Sequence, residues 1–436
     1  MGKTAAKTST KATDKAGKAP KASTKTAGRK AWTVMVYMAG DNNLDPDGVQ
    51  DLKEMKRVGS TDQLDIVAQF DRAAGHVARR YHLRQGGIVT GDAVASLGAV
   101  NTGDPKNLSD FIQWAVKGYP AEHYLLVLWN HGQGWDDSDV YAGERHRALR
   151  RLANGPIRHA LFHAPVRQLL NQATHDAERR AILLDDNAKD FLDNQELAKV
   201  MAGAAKLIGR KIDILGMDAC LMSMAEVGYQ VCDSAEYTVG SEQTEPGEGW
   251  PYHTVLAALA KQPTMSPREL SALIVEKYLA YYPSANDPSS GSVTQAACDL
   301  AKAPALAKAV AALAKALKRS LAVPAQRQRV LMARMQAQSY DGRDNIDLVD
   351  FCSLLIQGGA EPAVASACQQ VMQAVKTDYV VAQGFKGKDM KHSNGVSIYF
   401  PTQGVSPLYP GLAFSKKTGW DAFLSAYLNA VRSRVF

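Results

Sequence analysis

Apolar residues fall in short, nearly continuous runs separated by polar turns and by stretches of helical spacing. Residues 32–39 (WTVMVYMA) form one such run and end in Gly40-Asp41-Asn42-Asn43. That is turn chemistry closing a buried strand and opening a strand–loop–helix unit. Residues 45–58 have helical spacing, residues 64–70 (LDIVAQF) give a second strand, and residues 81–84 a short third strand or hairpin arm. Ser109 or Asp110 is placed to cap a helix that runs to Val116. Residues 123–129 (HYLLVLW) and 212–217 (IDILGM) are nearly continuous apolar runs, as expected of strands covered on both faces. A last strand, residues 396–400, follows the turn Ser393-Asn394-Gly395.

Strands alternating with helices predict an α/β fold with a largely parallel sheet flanked by helices. Beyond about residue 260 the pattern becomes mainly helical. Residues 296–320 and 362–380 are Ala-rich with lysines interrupting the apolar face, which fits helix packing rather than membrane insertion. The expected organisation is a tail over 1–30, an α/β domain over 31–260 and a mainly helical C-terminal domain over 261–436. Residues 140–180 carry Arg145, Arg147, Arg150, Arg151, Arg158, Arg167, Arg179 and Arg180, and read as an insertion or long surface loop.

With 436 residues, 46% of them hydrophobic and 22% charged, the chain can bury a large core. Its net charge of +7 is local, because residues 1–30 hold nine Lys or Arg against one Asp. The rest is almost neutral. The tail has no aromatic residue and nothing to bury, so it is expected to be disordered. It offers no platform for base stacking, which leaves nucleic acid only an electrostatic contact with residues 1–30. No apolar leader segment follows its charges, and no run approaches the roughly 18–20 apolar residues of a membrane span. If Met1 is the true start, a cytoplasmic protein is expected. The five cysteines are odd in number and form no CxxC pair, which argues against a disulfide scaffold or a structural zinc site.

Two of the apolar strands end in unusual polar sequence: Asn130-His131-Gly132 after one and Asp218-Ala219-Cys220 after the other. In parallel sheets ligands gather beyond the carboxyl ends of the strands. Cysteine-peptidase chemistry needs a thiolate, a histidine and donors for a developing oxyanion. Cys220 reads as the start of a helix, CLMSMAEVGYQVC, whose macrodipole would favour a thiolate. Gly132 beside His131 would let a substrate backbone approach, and the N–H groups of Gly132 and Cys220 are the oxyanion candidates. From the residues alone, a buried structural cysteine and a structural histidine remain equally good readings. Cys232, Cys298, Cys352 and Cys368 sit in contexts that fit small buried hydrophobes.

The segments WTVMVYMAGDNNLD (32–45), VLWNHGQGW (127–135), GMDACLMSMAEV (216–227), SEQTEPGEGWPY (241–252) and GVSIYFP (395–401) together resemble the clostripain-type cysteine peptidases. The resemblance runs in order from about residue 31 to near the C-terminus and leaves out the tail. It implies the caspase/gingipain-like fold, a Cys–His dyad with Cys220 as nucleophile and His131 as its partner, and cleavage after Arg or, less readily, Lys. It also implies an S1 pocket built on Asp218 with a second acid at Glu248, for which Glu242 and Glu245 are neighbouring alternatives. A carboxylate meeting a guanidinium is the physical basis of such a preference. Glu in place of Asp at 248 sets the charge one methylene further out and puts the ranking of Arg over Lys in doubt. Members of the family are often cut after a basic residue between the His and Cys segments, so autoprocessing at Arg145, Arg147, Arg150 or Arg151 is expected. No cofactor is expected; clostripain itself depends on calcium, yet no EF-hand-like loop is present here. Two other readings compete: a catalytically inactive binding protein of the same fold, and a polyanion-binding protein acting through its tail. GxxxxGK[ST], HExxH and GxSxG motifs are absent.

Overall fold

A computed structural model describes residues 29–135, 182–282, 292–341 and 343–432. The tail through residue 28 and the whole Arg-rich stretch lie outside the described residues. The strands in chain order are β1 (Lys30–Gly40), β2 (Leu64–Arg72), β3 (Ala78–His82), β4 (Ala93–Gly98), β5 (Ala121–Trp129), β6 (Ile182–Asp185) and β7 (Asp190–Leu192). They continue with β8 (Ile212–Asp218), β9 (Ala235–Gly240), β10 (Val293–Asp299), β11 (Asn345–Asp347), β12 (Val380–Lys386) and β13 (Ser397–Tyr399). Nine of them form one sheet in the order β12-β10-β9-β8-β5-β1-β2-β3-β4. The five strands β9, β8, β5, β1 and β2 are parallel, and antiparallel strands extend both edges.

Alternation along β1 explains its unbroken apolar run. Trp32, Val34, Val36 and Met38 enter the core on one face, while Met35, Tyr37 and Ala39 enter the core on the other. The helices Asp45–Val58, Tyr252–Lys261 and Pro267–Tyr281 contribute to the first core. The second is continuous from Met35 to Leu428 and takes in the C-terminal helices. The region after residue 261 is therefore mainly helical, but it also gives β10 and β12 to the central sheet and shares its core. No helix of the described residues is long and apolar enough to cross a membrane.

The chain steps from β1 to β2 on one side and returns to β5, β8 and β9 on the other. The switch point lies between β1 and β5, where open α/β sheets place their ligands. His131 and Cys220 leave the sheet beside it.

Candidate active site

The β5–β8 register pairs Trp129 with Asp218, so His131 and Cys220 each lie two residues beyond matched strand ends. Asn130 locks this alignment: its N–H donates to the Asp218 carbonyl at 3.2 Å, and its side-chain amide reaches the carbonyls of Ala39 and Leu184. The two loops are in direct contact. A methyl group at position 132 would lie 2.5 Å from the Cys220 carbonyl oxygen, and one at 134 would lie 2.8 Å from that of Leu221. Only glycine permits that approach.

His131 Nε2 lies 2.9 Å from Oδ1 of Asn43, in the turn after β1. A proton on Nε2 is donated to this amide oxygen, which orients the ring. Asn43 is a positioning residue that sequence reasoning took only for turn chemistry. A short amide after a strand serves either purpose, and nothing in one sequence separates the two.

Cys220 departs from expectation. It does not begin a helix: it lies in a turn, and the helix spans only Ala225–Val231, ending before Cys232. The macrodipole is therefore remote from the sulfur. Burial pushes the Cys220 thiol up, Asp341 and Asp218 add to that, and the N–H groups of Glu245 and Gly132 oppose it. The Glu245 N–H points at Sγ from 3.2 Å. Leu221 sits in the left-handed region at φ 62°, so the turn is held in a conformation costly for a non-glycine residue.

Residues 241–245 hold that turn in place. Leu221 N–H donates to the Gln243 carbonyl and Ser223 N–H to that of Ser241. Thr294 of β10 supports the segment through its hydroxyl, which meets Ser241 Oγ at 2.8 Å and accepts from the N–H groups of Glu242 and Gln243. From the other side, Ser223 Oγ donates to the Gly395 carbonyl at 2.8 Å, tying the turn to the segment before β13. Cys220 also packs beside Leu221, Tyr340 and Met390. A cavity of about 530 Å³, lined by Gln243, Tyr340, Asp341 and Met390 among others, opens next to it.

Asp218 is buried, and its Oδ2 accepts from the Tyr252 hydroxyl at 2.8 Å and the Trp250 N–H at 3.3 Å. Burial pushes its carboxyl up to about 6. Of the three glutamates named as companions, Glu248 is exposed and acts on Asp47. Glu242 is buried against Asp347 and accepts from the Gly395 N–H at 3.0 Å. Glu245 lies against Asp218. Among the described residues no group of three or more His, Cys, Asp or Glu could hold a metal ion.

Both borders of the undescribed 136–181 segment are anchored. Trp135 is buried and its ring packs on Tyr399 and Tyr409, while Gly134 accepts from the Asn194 amide at 3.1 Å. Ile182 is buried, and the Leu184 carbonyl accepts from both Asn42 and Asn130 at 3.1 Å.

The profile of the Clostripain family matches residues 36–149 and 170–427, and the gap between falls within the Arg-rich stretch. Clostripain of Hathewaya histolytica is 26% identical over 251 residues, which is 51% of this chain and 41% of that protein. The chain therefore aligns with less than half of that relative. A secreted C11 cysteine protease from Bacteroides thetaiotaomicron, solved with an irreversible peptide inhibitor, superposes with a TM-score of 0.61. It is 21% identical and covers 90% of this chain and 100% of its own. An inactive zymogen C11 protease from Parabacteroides distasonis gives a TM-score of 0.60 at 20% identity, over 89% of this chain and 98% of its own. These matches agree in fold, and they correct one expectation. The cytoplasmic location does not stand, because the Bacteroides structures are of a secreted protease. That expectation leaned on Met1 as the true start, which is no observation of compartment. With its profile running through both the His131 and Cys220 loops, the chain belongs to the clostripain family.

Proposed function

We propose that this protein is a cysteine endopeptidase in which Cys220 and His131 form the catalytic dyad. The observation that carries the reading is the β5–β8 register, which sets the two residues at neighbouring strand ends with their loops in contact. In the resting site the thiol holds its proton, since burial outweighs the two N–H groups aimed at the sulfur. His131 takes that proton as the sulfur attacks the scissile carbonyl. The N–H groups of Gly132 and Cys220 receive the oxyanion. His131 then protonates the leaving amine and activates the water that hydrolyses the thioester.

A basic P1 residue fits the buried Asp218 carboxyl, two residues before Cys220, with the Glu245 carboxyl against it. Arg is the better partner of a buried carboxylate because its planar fork makes paired hydrogen bonds. The same preference would let the protein cut itself after Arg145, Arg147, Arg150 or Arg151, within a segment bordered by the site's own loops. Fluorogenic peptides ending in Arg, Lys and Asp test the whole reading. Wild type is expected to cleave after Arg and Lys and to give two fragments by mass. Cys220→Ala is expected to cleave nothing and to stay one chain. A wild type that cleaves none of these peptides, even after limited tryptic nicking, overturns it.

A further inference from the structure

We propose that Glu245, rather than Glu248, is the second acid of the P1 pocket, and that an incoming cationic side chain displaces a proton held between Glu245 and Asp218. The proposal rests on the peptidase reading above and deepens it.

Glu245 is tied to the reacting atom by its backbone, whose N–H points at Cys220 Sγ from 3.2 Å. Its side chain turns the opposite way, into the protein. Oε1 accepts from the Gln295 amide at 3.2 Å, while Oε2 is buried with no hydrogen-bond donor. This carboxyl lies against that of Asp218, whose Oδ2 takes the Tyr252 hydroxyl and the Trp250 N–H. Two ionised carboxylates in one buried space repel each other unless a proton or a cation lies between them.

Among the described residues, the titratable groups that face the pair supply no cation. Asp51 approaches from the helix Asp45–Val58, Tyr252 from Tyr252–Lys261, and Tyr278 and Tyr282 from the end of Pro267–Tyr281, with Cys220 above. Each of them is neutral or acidic. Burial raises both carboxyls; Asp218 pushes Glu245 further up, while the hydrogen bond from Glu245 favours the ionised form of Asp218. The resting pair therefore keeps a proton. A guanidinium or ammonium brings both donors and charge, and on its arrival the proton leaves to solvent. Glu248 faces water beside Asp47, where a carboxylate is screened and contributes little.

Glu245→Gln and Glu248→Gln, each compared with wild type on an Arg-ended fluorogenic peptide, separate the two acids. Glu245→Gln is expected to lower kcat/KM by about 10- to 100-fold, mostly through KM, and Glu248→Gln by less than about twofold. The rate at which iodoacetamide alkylates Cys220 should stay within about twofold in both variants, because the backbone contact to the sulfur is retained. Calorimetric titration of an Arg-ended peptide into Cys220→Ala, run in two buffers of unlike ionisation enthalpy, should show about one proton released per peptide bound near pH 6. A large loss in Glu248→Gln with Glu245→Gln near wild type overturns the assignment. So does a Glu245→Gln variant whose alkylation slows as much as its cleavage, since Glu245 would then only hold the loop. No proton release refutes the displacement. A wild type that cleaves no basic peptide refutes the peptidase reading itself, which is a different failure.

Discussion

At the centre of the sheet, β1 and β5 bury apolar side chains on both faces. On one flank, β10 buries Thr294 and Gln295 beside Ala296 and Ala297. The apolar centre fixes where the backbone lies, and its reward is stability. The polar flank fixes which way a loop points. Thr294 holds residues 241–243 and Gln295 holds the Glu245 carboxyl, and those residues in turn hold the turn of Cys220. Burying such groups stabilises little in net terms, because each hydrogen bond replaces one to water. What it gives is direction.

Substitutions can break this contrast. Leu126→Ala on β5 empties a fully buried site and is expected to cost about 2–5 kcal/mol in urea unfolding. Its kcat/KM per folded molecule should stay at the wild-type value, and a matching loss of activity would dissolve the distinction. Thr294→Val keeps volume but strips the acceptor from the buried Glu242 N–H, while the half-buried Gln243 N–H keeps only Ser241 Oγ. It is expected to cost about 1–3 kcal/mol and also to reduce kcat/KM severalfold in the folded protein. Full activity in that variant would show that the 241–245 segment does not depend on β10.

The smallest effect sharpens the comparison away from the site. Glu226 is buried, accepts from the Tyr399 N–H and the Tyr409 hydroxyl through Oε1, and leaves Oε2 without a donor. Burial pushes its carboxyl up to about 7 from 4.5. A raised acid favours the folded state fully below the unfolded value, and that contribution is lost as pH rises from about 4.5 to about 7. Glu226→Gln keeps both accepted bonds and carries no charge. It is expected to flatten this part of the stability–pH curve and to stabilise the protein at pH 8 by about 1 kcal/mol.

The apolar centre is also the part that could be read from the residues. β1, β2, β5 and β8 announce themselves by runs dominated by apolar residues, and the polar sequence at the ends of β5 and β8 marks His131, Asp218 and Cys220. β9, β10 and β12 were invisible by the same measure. VTQAACD in β10 carries Thr and Gln at buried positions, and those positions are paid for by partners far away in sequence. The helix expected at Cys220 failed for a related reason. MSMAEV reads as helical, yet Ser223 is claimed by Gly395 and Met224 bridges to Ser397, so the helix waits until Ala225. Propensity gave way to tertiary hydrogen bonding. Asn43 shares that obscurity, since its contact with His131 exists only once the ends of β1 and β5 meet.

The anchoring of Trp135 and Ile182 bears on what a broken peptide bond would do. Each border of the 136–181 segment grips the body by its own contacts: Trp135 through two tyrosine rings, β6 through the amides of Asn42 and Asn130. Covalent continuity between them is not what keeps either in place. Two polypeptides meeting at that gap would behave as complementing fragments, copurifying and melting together, and parting only when the shared core unfolds.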